Sequence, residues 1–190
     1  MNAIIDVMGS FLIGSILLLM MITFQYQMQE TAARAMFSAN MMSHIDDAAT
    51  FLNHVIALAG IGVAPTSTVT VAQTNRMVFR TYWDYNNGYL SAVSNTIEIK
   101  LSPVVTPVGT ALTIYQNGQL VEDNGHIMWV EHLHFTYYTK TDQATTTASA
   151  VRSAEIRLTF KRDPPRLGTA PIRARLQIKC YLMNAYMRGA

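Results

Sequence analysis

Charged residues are scarce and almost balanced. They make up 14% of the chain, with 14 Lys and Arg against 12 Asp and Glu and a formal charge of +2. That balance provides no polycation of the kind that dominates binding to a phosphate backbone, which argues against nucleic acid as a partner. Cysteine is nearly absent: Cys180 alone closes no intramolecular disulfide and builds no Cys-rich zinc site. The chain also lacks a G-x-S-x-G elbow, a Walker loop, a dinucleotide fingerprint and an H-E-x-x-H helix, so no motif points to an enzyme or a cofactor. Its 190 residues are too few for two ordinary domains. Half of them are hydrophobic, which excludes a disordered chain.

Proline and glycine are missing from residues 15–59, and charge is missing from residues 7–24, which read VMGSFLIGSILLLMMITF. Eighteen residues span roughly 27 Å as a helix, close to the hydrocarbon thickness of a bilayer. The run is longer than the apolar core of a usual secretory signal, lacks a basic segment before it and has no evident Ala-x-Ala site before the next helical segment. The expectation is therefore a retained membrane-compatible helix, against the competing readings of a buried core helix or a signal peptide. Beyond it an apolar stripe appears at Phe37, Met41, Ile45, Ala48, Leu52, Val55 and Ala59, widened by Phe51 and Ile56. Steps of four and three mark one face of a helix. Ser43, His44, Asp46, Asp47, Asn53 and His54 fall between those positions as its wet side. Residues 1–60 thus predict one continuous helix of about 50–58 residues, about 80 Å long at helical rise, with residues 1–29 for a membrane or filament core and residues 30–60 amphipathic.

The period changes after Gly60. Alternating runs rich in Thr, Val, Ile and Tyr occupy 68–72, 77–85, 96–104, 111–116, 119–123, 132–140, 153–162 and 174–183, with turn signals at 86–88, 117–118 and 123–125. They predict a head over residues 61–190 built on an antiparallel sheet of five to eight strands, and an α+β fold in which that sheet packs on the amphipathic helix. Residues 140–150 read as a polar loop, and the prolines in 162–171 exclude a central strand there. The apolar first half of the helix has no partner within the chain, so lipid or other subunits must cover it.

A long N-terminal helix with a bare apolar first half, joined to a β-rich head, resembles the type IV pilin superfamily, which includes the pseudopilins of type II secretion. Within the head, HIMWVEHLHFTYYT followed by VRSAEIRLTFKR resembles the larger minor pilins and the J-type pseudopilins. The resemblance implies a non-enzymatic subunit of a homo-oligomeric helical filament, handled by inner-membrane assembly machinery and joined by other pilin-like subunits. It would lie in the inner membrane before assembly and in a periplasmic or extracellular filament afterwards. A minor or tip subunit that primes assembly or engages cargo is the alternative within the family, and a membrane-anchored periplasmic binding domain is the alternative outside it. The chain departs from the family in three ways. No basic leader precedes Met1, the mid-helix proline is missing so that Gly14-Ser15 is the nearest weak point, and the acid near the helix start is Asp6 rather than glutamate. Loss of Met1 would make Asp6 the fifth residue.

The residues expected to serve assembly are Asp6, Gly9, Ser10, Gly14, Ser15, Glu30 and Arg34. An acid beside an apolar helix is costly without a partner, and the amino terminus of a neighbouring subunit is a natural one. The alternative for Asp6 is a carboxylate at a headgroup layer or a helix N-terminus. The small residues permit close helix approach, and Glu30 and Arg34 stand in the favourable order for an intrahelical pair. Phe37, Met41, Ile45, Leu52, Val55 and Ile56 are expected to pack helix on head. His126, His132 and His134 raise the question of a metal, but Glu131 points to the opposite strand face from the last two and surface histidines are the ordinary reading. The aromatics of 82–89 and 134–139 could line a recognition groove, and cross-strand packing is the simpler expectation for them. Lys161, Arg162, Arg166, Arg173, Arg175 and Lys179 make the C-terminal part basic, with Asp46, Asp47 or the acids at 122–123 of a neighbour as possible counterparts.

Overall fold

The computed structural model describes residues 2–107, 109–121, 128–162 and 171–188. Glu122, Asp123, His126, Arg166 and most of the proline-containing break therefore lie outside the described residues. The fold is α+β: one long N-terminal helix followed by antiparallel strands. The helix α1 runs Asn2–Ala57, the strands are β1 Val69–Gln73, β2 Arg76–Asp84, β3 Tyr89–Thr106, β4 Gly109–Gln116, β5 Gln119–Leu120, β6 Met128–Val130, β7 His132–Tyr138, β8 Ser153–Arg162 and β9 Ile172–Tyr181, and a short helix α2 closes the chain at Met183–Arg188. Two compact units divide at Asn40 and Met41. The helical stripe from Met41 onward belongs to the core of the second unit.

The first unit, Met1–Asn40, is helical throughout its described residues. Ala, Leu, Met and Gln are good helix formers, and only Gly9 and Gly14 interrupt them. The helix is long and apolar enough to cross a membrane.

The second unit holds two sheets rather than the single one expected. Strands β1-β2-β3-β4-β5 form a meander with β6 added to β4, and β7-β8-β9 form a separate three-stranded sheet. In the larger sheet Met77 faces Ile99, Ile99 faces Ile114, and Phe79 faces Ile97, so two rows of buried apolar side chains line the inner surface. In the smaller sheet Leu133, Leu158 and Leu176 form one cross-strand row, Phe135, Ile156 and Ile178 the next. Met41, Ile45, Ala48, Leu52, Val55, Ile56 and Ala59 are buried in the same cluster as both inner faces. Each fully buried Leu, Ile or Val contributes about 1.5–3 kcal/mol, so this stripe is a major part of the head's stability. The sheets are joined where the Phe135 amide donates to the Thr74 carbonyl at 2.7 Å and the Tyr137 hydroxyl to the Gln73 carbonyl at 2.8 Å.

Several boundaries shift. β3 starts at Tyr89 instead of 96, because Gly88 at φ 71° turns the chain sharply enough for pairing to resume at once. The strand expected at 119–123 is reduced to two described residues, while β6 arises in a stretch not read as a strand. The last strand ends at Tyr181, and Met183 opens α2 instead of closing the strand. Asn117 and Gly118, both at positive φ, make the tight turn between β4 and β5 that their sequence indicates. Residues 140–150 are a loop, anchored by a bridge between Tyr138 and Ala144 and a short turn at Ala148–Ala150.

Candidate functional site

In the first unit the apolar surface is bare. Its large side chains at 11–24 are exposed from 41% at Ile22 to 79% at Phe11. Polar groups in this stretch are turned back on the helix. The Ser10 hydroxyl donates to the Val7 carbonyl at 2.9 Å, Ser15 to Leu12 at 2.8 Å and Thr23 to Leu19 at 2.8 Å. These hydroxyls need no water, as a helix in lipid or in a packed apolar core requires. A Cβ added at Gly9 or Gly14 would meet nothing within 4 Å, so both leave open surface where another helix can approach closely. Asp6 is exposed on the same helix. Arg34 donates to Glu30 at 2.8 Å in an exposed pair, worth about 0.3–0.5 kcal/mol. Phe37 is half-buried.

The second unit holds the end of α1 by side-chain hydrogen bonds. A helix leaves its last carbonyls without intrahelical partners. Here Tyr85 donates to the Val55 carbonyl, Asn184 to those of Ala57 and Ala59, and Thr81 to that of Leu58. Burial pushes the Tyr85 phenol above its ordinary value, which keeps it a donor. Cys180 donates its thiol to Asn53 Oδ1 at 2.9 Å, and burial pushes it up to about 11. A buried neutral thiol of this kind is inert. Sequence reasoning did not find Tyr85, Thr81 or Asn184 as anchors, because their partners lie on α1 and only the fold brings them there.

The outward face of β7-β8-β9 carries His132 and His134 on β7, Glu155, Arg157 and Lys161 on β8, and Arg173, Arg175 and Lys179 on β9. Arg173 binds Glu131 at 2.9 Å and holds its carboxyl below the usual range. Arg157 binds Glu155 at 2.6 Å, and Lys179 binds Asp142 at 2.7 Å. Among the described residues no three His, Cys, Asp or Glu side chains gather as metal ligands. Among the aromatics at 134–139, Phe135 and Tyr137 stack along β7, their ring centroids 5.9 Å apart, and face Ile156 and Ala154 across the strand pair. A groove of about 370 Å³ beside Met41 and His44 has Trp129 and Phe160 in its walls; it carries no acid–base pair. The two features with the clearest chemical character are therefore the bare apolar helix of the first unit and the charged outer surfaces of the second. No protein-family model, curated protein or solved structure matches this chain.

Proposed function

We propose that the chain is a structural subunit of a pilus-like helical filament, without catalytic activity, assembled by burying its N-terminal apolar helix among those of neighbouring copies. One observation carries the reading. A single helix is one-sided and buried where it enters the head, yet bare around its apolar surface before that. Burial of such a surface is the strongest association force available to the chain. The internally satisfied hydroxyls and the open surface at Gly9 and Gly14 support close helix contact. In this setting Asp6 pairs with the amino terminus of the next subunit, and the Glu30–Arg34 pair neutralises itself within the assembly. The chain would wait in the inner membrane and leave it on assembly by membrane machinery. A minor or tip subunit of the same filament type uses the same features at low copy number, and a membrane-anchored binding domain uses lipid as the only cover.

Negative-stain electron microscopy of sheared cell-surface material, with intact-mass analysis and N-terminal sequencing of the fibre's main protein, tests this. Uniform fibres composed mainly of this chain are expected. Trace amounts beside another main subunit would replace this reading with the minor-subunit one, and retention of all of the chain in the membrane fraction without fibres would replace it with the anchored domain.

A further inference from the structure

Charge is segregated along the chain. No Lys or Arg lies between Arg34 and Arg76, and no Asp or Glu follows Asp163. The segment of α1 inside the head therefore has Asp46 and Asp47 as its only fully charged groups, both exposed. Strand β9 carries Arg173, Arg175 and Lys179 outward with no acid. Arg173 and Lys179 have acids of the same chain beside them. Arg175 differs. It faces Thr159 across the strand pair, with Arg173 two residues away on its own strand and Arg157 and Lys161 two residues either side of Thr159. Among the described residues no side-chain hydrogen bond or ion pair joins Arg175, Asp46 or Asp47 to any other residue. Arg157 and Arg173 already have Glu155 and Glu131 beside them, so Arg175 is the cation of β9 left for an anion of another chain to cover, like charges on one sheet face being destabilising otherwise.

We propose that the outer face of β7-β8-β9, centred on Arg175, is the docking surface for the Asp46–Asp47 face of α1 in a second copy of this chain. The stripe of α1 and the inner face of the small sheet enter one core, so their outer faces point away from each other. A copy cannot satisfy its own acids with its own Arg175. The contact is consequently heterologous: each copy offers an acidic face to one neighbour and a basic face to another, and contacts of that kind propagate into fibres or rings. Charge complementarity fixes the register, while the apolar helices provide the main association energy. This contact deepens the filament reading and rests on it for its setting.

The test uses full-length chain with Thr50→Cys and Gln177→Cys, two exposed positions beside the proposed charges, treated with a short bismaleimide in intact cells. The buried Cys180 is a poor target. The double variant is expected to give a ladder of cross-linked multimers, and each single variant only monomer. Adding Arg175→Glu should lower the ladder about tenfold, and Asp46→Lys with Asp47→Lys should restore it. Fibres without a ladder overturn the contact and leave the filament reading intact. A ladder without fibres supports the contact and overturns that reading. Dimers from Thr50→Cys alone, a ladder indifferent to Arg175→Glu, or loss of anionic-vesicle binding in place of loss of the ladder would each overturn the pairing.

Discussion

The Tyr85 hydroxyl donates to the Val55 carbonyl at 2.5 Å, and this bond ties the tight turn after β2 to the last full turn of α1. Its removal leaves a carbonyl at a buried helix end without its donor. Tyr85→Phe keeps the ring and deletes only the bond, so the head is expected to lose about 1–2 kcal/mol. Urea unfolding of the full chain in detergent measures it. The midpoint should fall with an unchanged slope, and an unchanged midpoint would mean that water replaces the phenol at no cost.

Gly60 lies in the turn that follows α1, at φ 77°, where its amide donates to the Arg80 carbonyl at 2.9 Å. A Cβ there would meet the buried Thr68 side chain at 2.8 Å. Gly60→Ala therefore combines left-handed backbone strain of about 1–2 kcal/mol with a steric overlap. A drop in melting temperature is expected, larger than that from Gly88→Ala, where positive φ is shared but the surrounding space is open. Equal drops would show that the overlap relaxes freely.

The amphipathic half of α1 was legible because its stripe repeats at steps of four and three, and the structure buries those positions from Met41 to Ala59. Most strands were legible for the same kind of reason, since alternation at 77–85 or 153–162 is a local property of half-buried sheet. The division into two sheets was not. It depends on which strands meet at Phe135 and Thr74, a contact that no local pattern encodes. β6 was missed because three residues are too few for alternation to register. The surface at Arg175 was legible only as basic composition, because cross-strand register determines which cations already have acids beside them.

Asp84 accepts bonds from the Asn87 side chain at 2.9 Å, the Gln116 side chain at 3.0 Å and the amides of Asn86 and Asn87. These bonds, that of the Asn87 side chain foremost, hold its carboxyl below 3.8. The unfolded chain then binds more protons than the folded one at acid pH. The stabilisation is complete above the unfolded value and is lost as pH falls through the lower folded value. Stability followed between about pH 5 and pH 2 should fall less steeply in Asp84→Asn than in the parent chain. Parallel curves would show that Asp84 has no share in the acid transition.

Cys180 is 4% exposed and bonded to Asn53, with its thiol pushed from 9.0 up to about 11. Native chain at pH 8 should resist iodoacetamide, while chain in concentrated urea should be alkylated fully, as mass spectrometry would record. Because the folded value is raised, the thiol lowers stability only as pH rises from the unfolded value towards the folded one. Rapid native alkylation would show that the end of α1 opens locally next to β9.

Two leucines of one helix separate folding from association. Leu52 is fully buried in the head, while Leu17 is 60% exposed in the first unit. Leu52→Ala removes methyl groups from a packed core and should cost about 2–5 kcal/mol of head stability. Leu17→Ala lies outside the core of the head and should leave the head's unfolding midpoint in place. Under the filament reading, the Leu17 side chain is buried only among neighbouring copies. Leu17→Ala should therefore lower fibre yield or the temperature at which fibres dissociate, with the head intact. Recovery of normal, equally heat-stable fibres from Leu17→Ala would place the association energy elsewhere on the molecule and remove the apolar helix from the centre of the assembly.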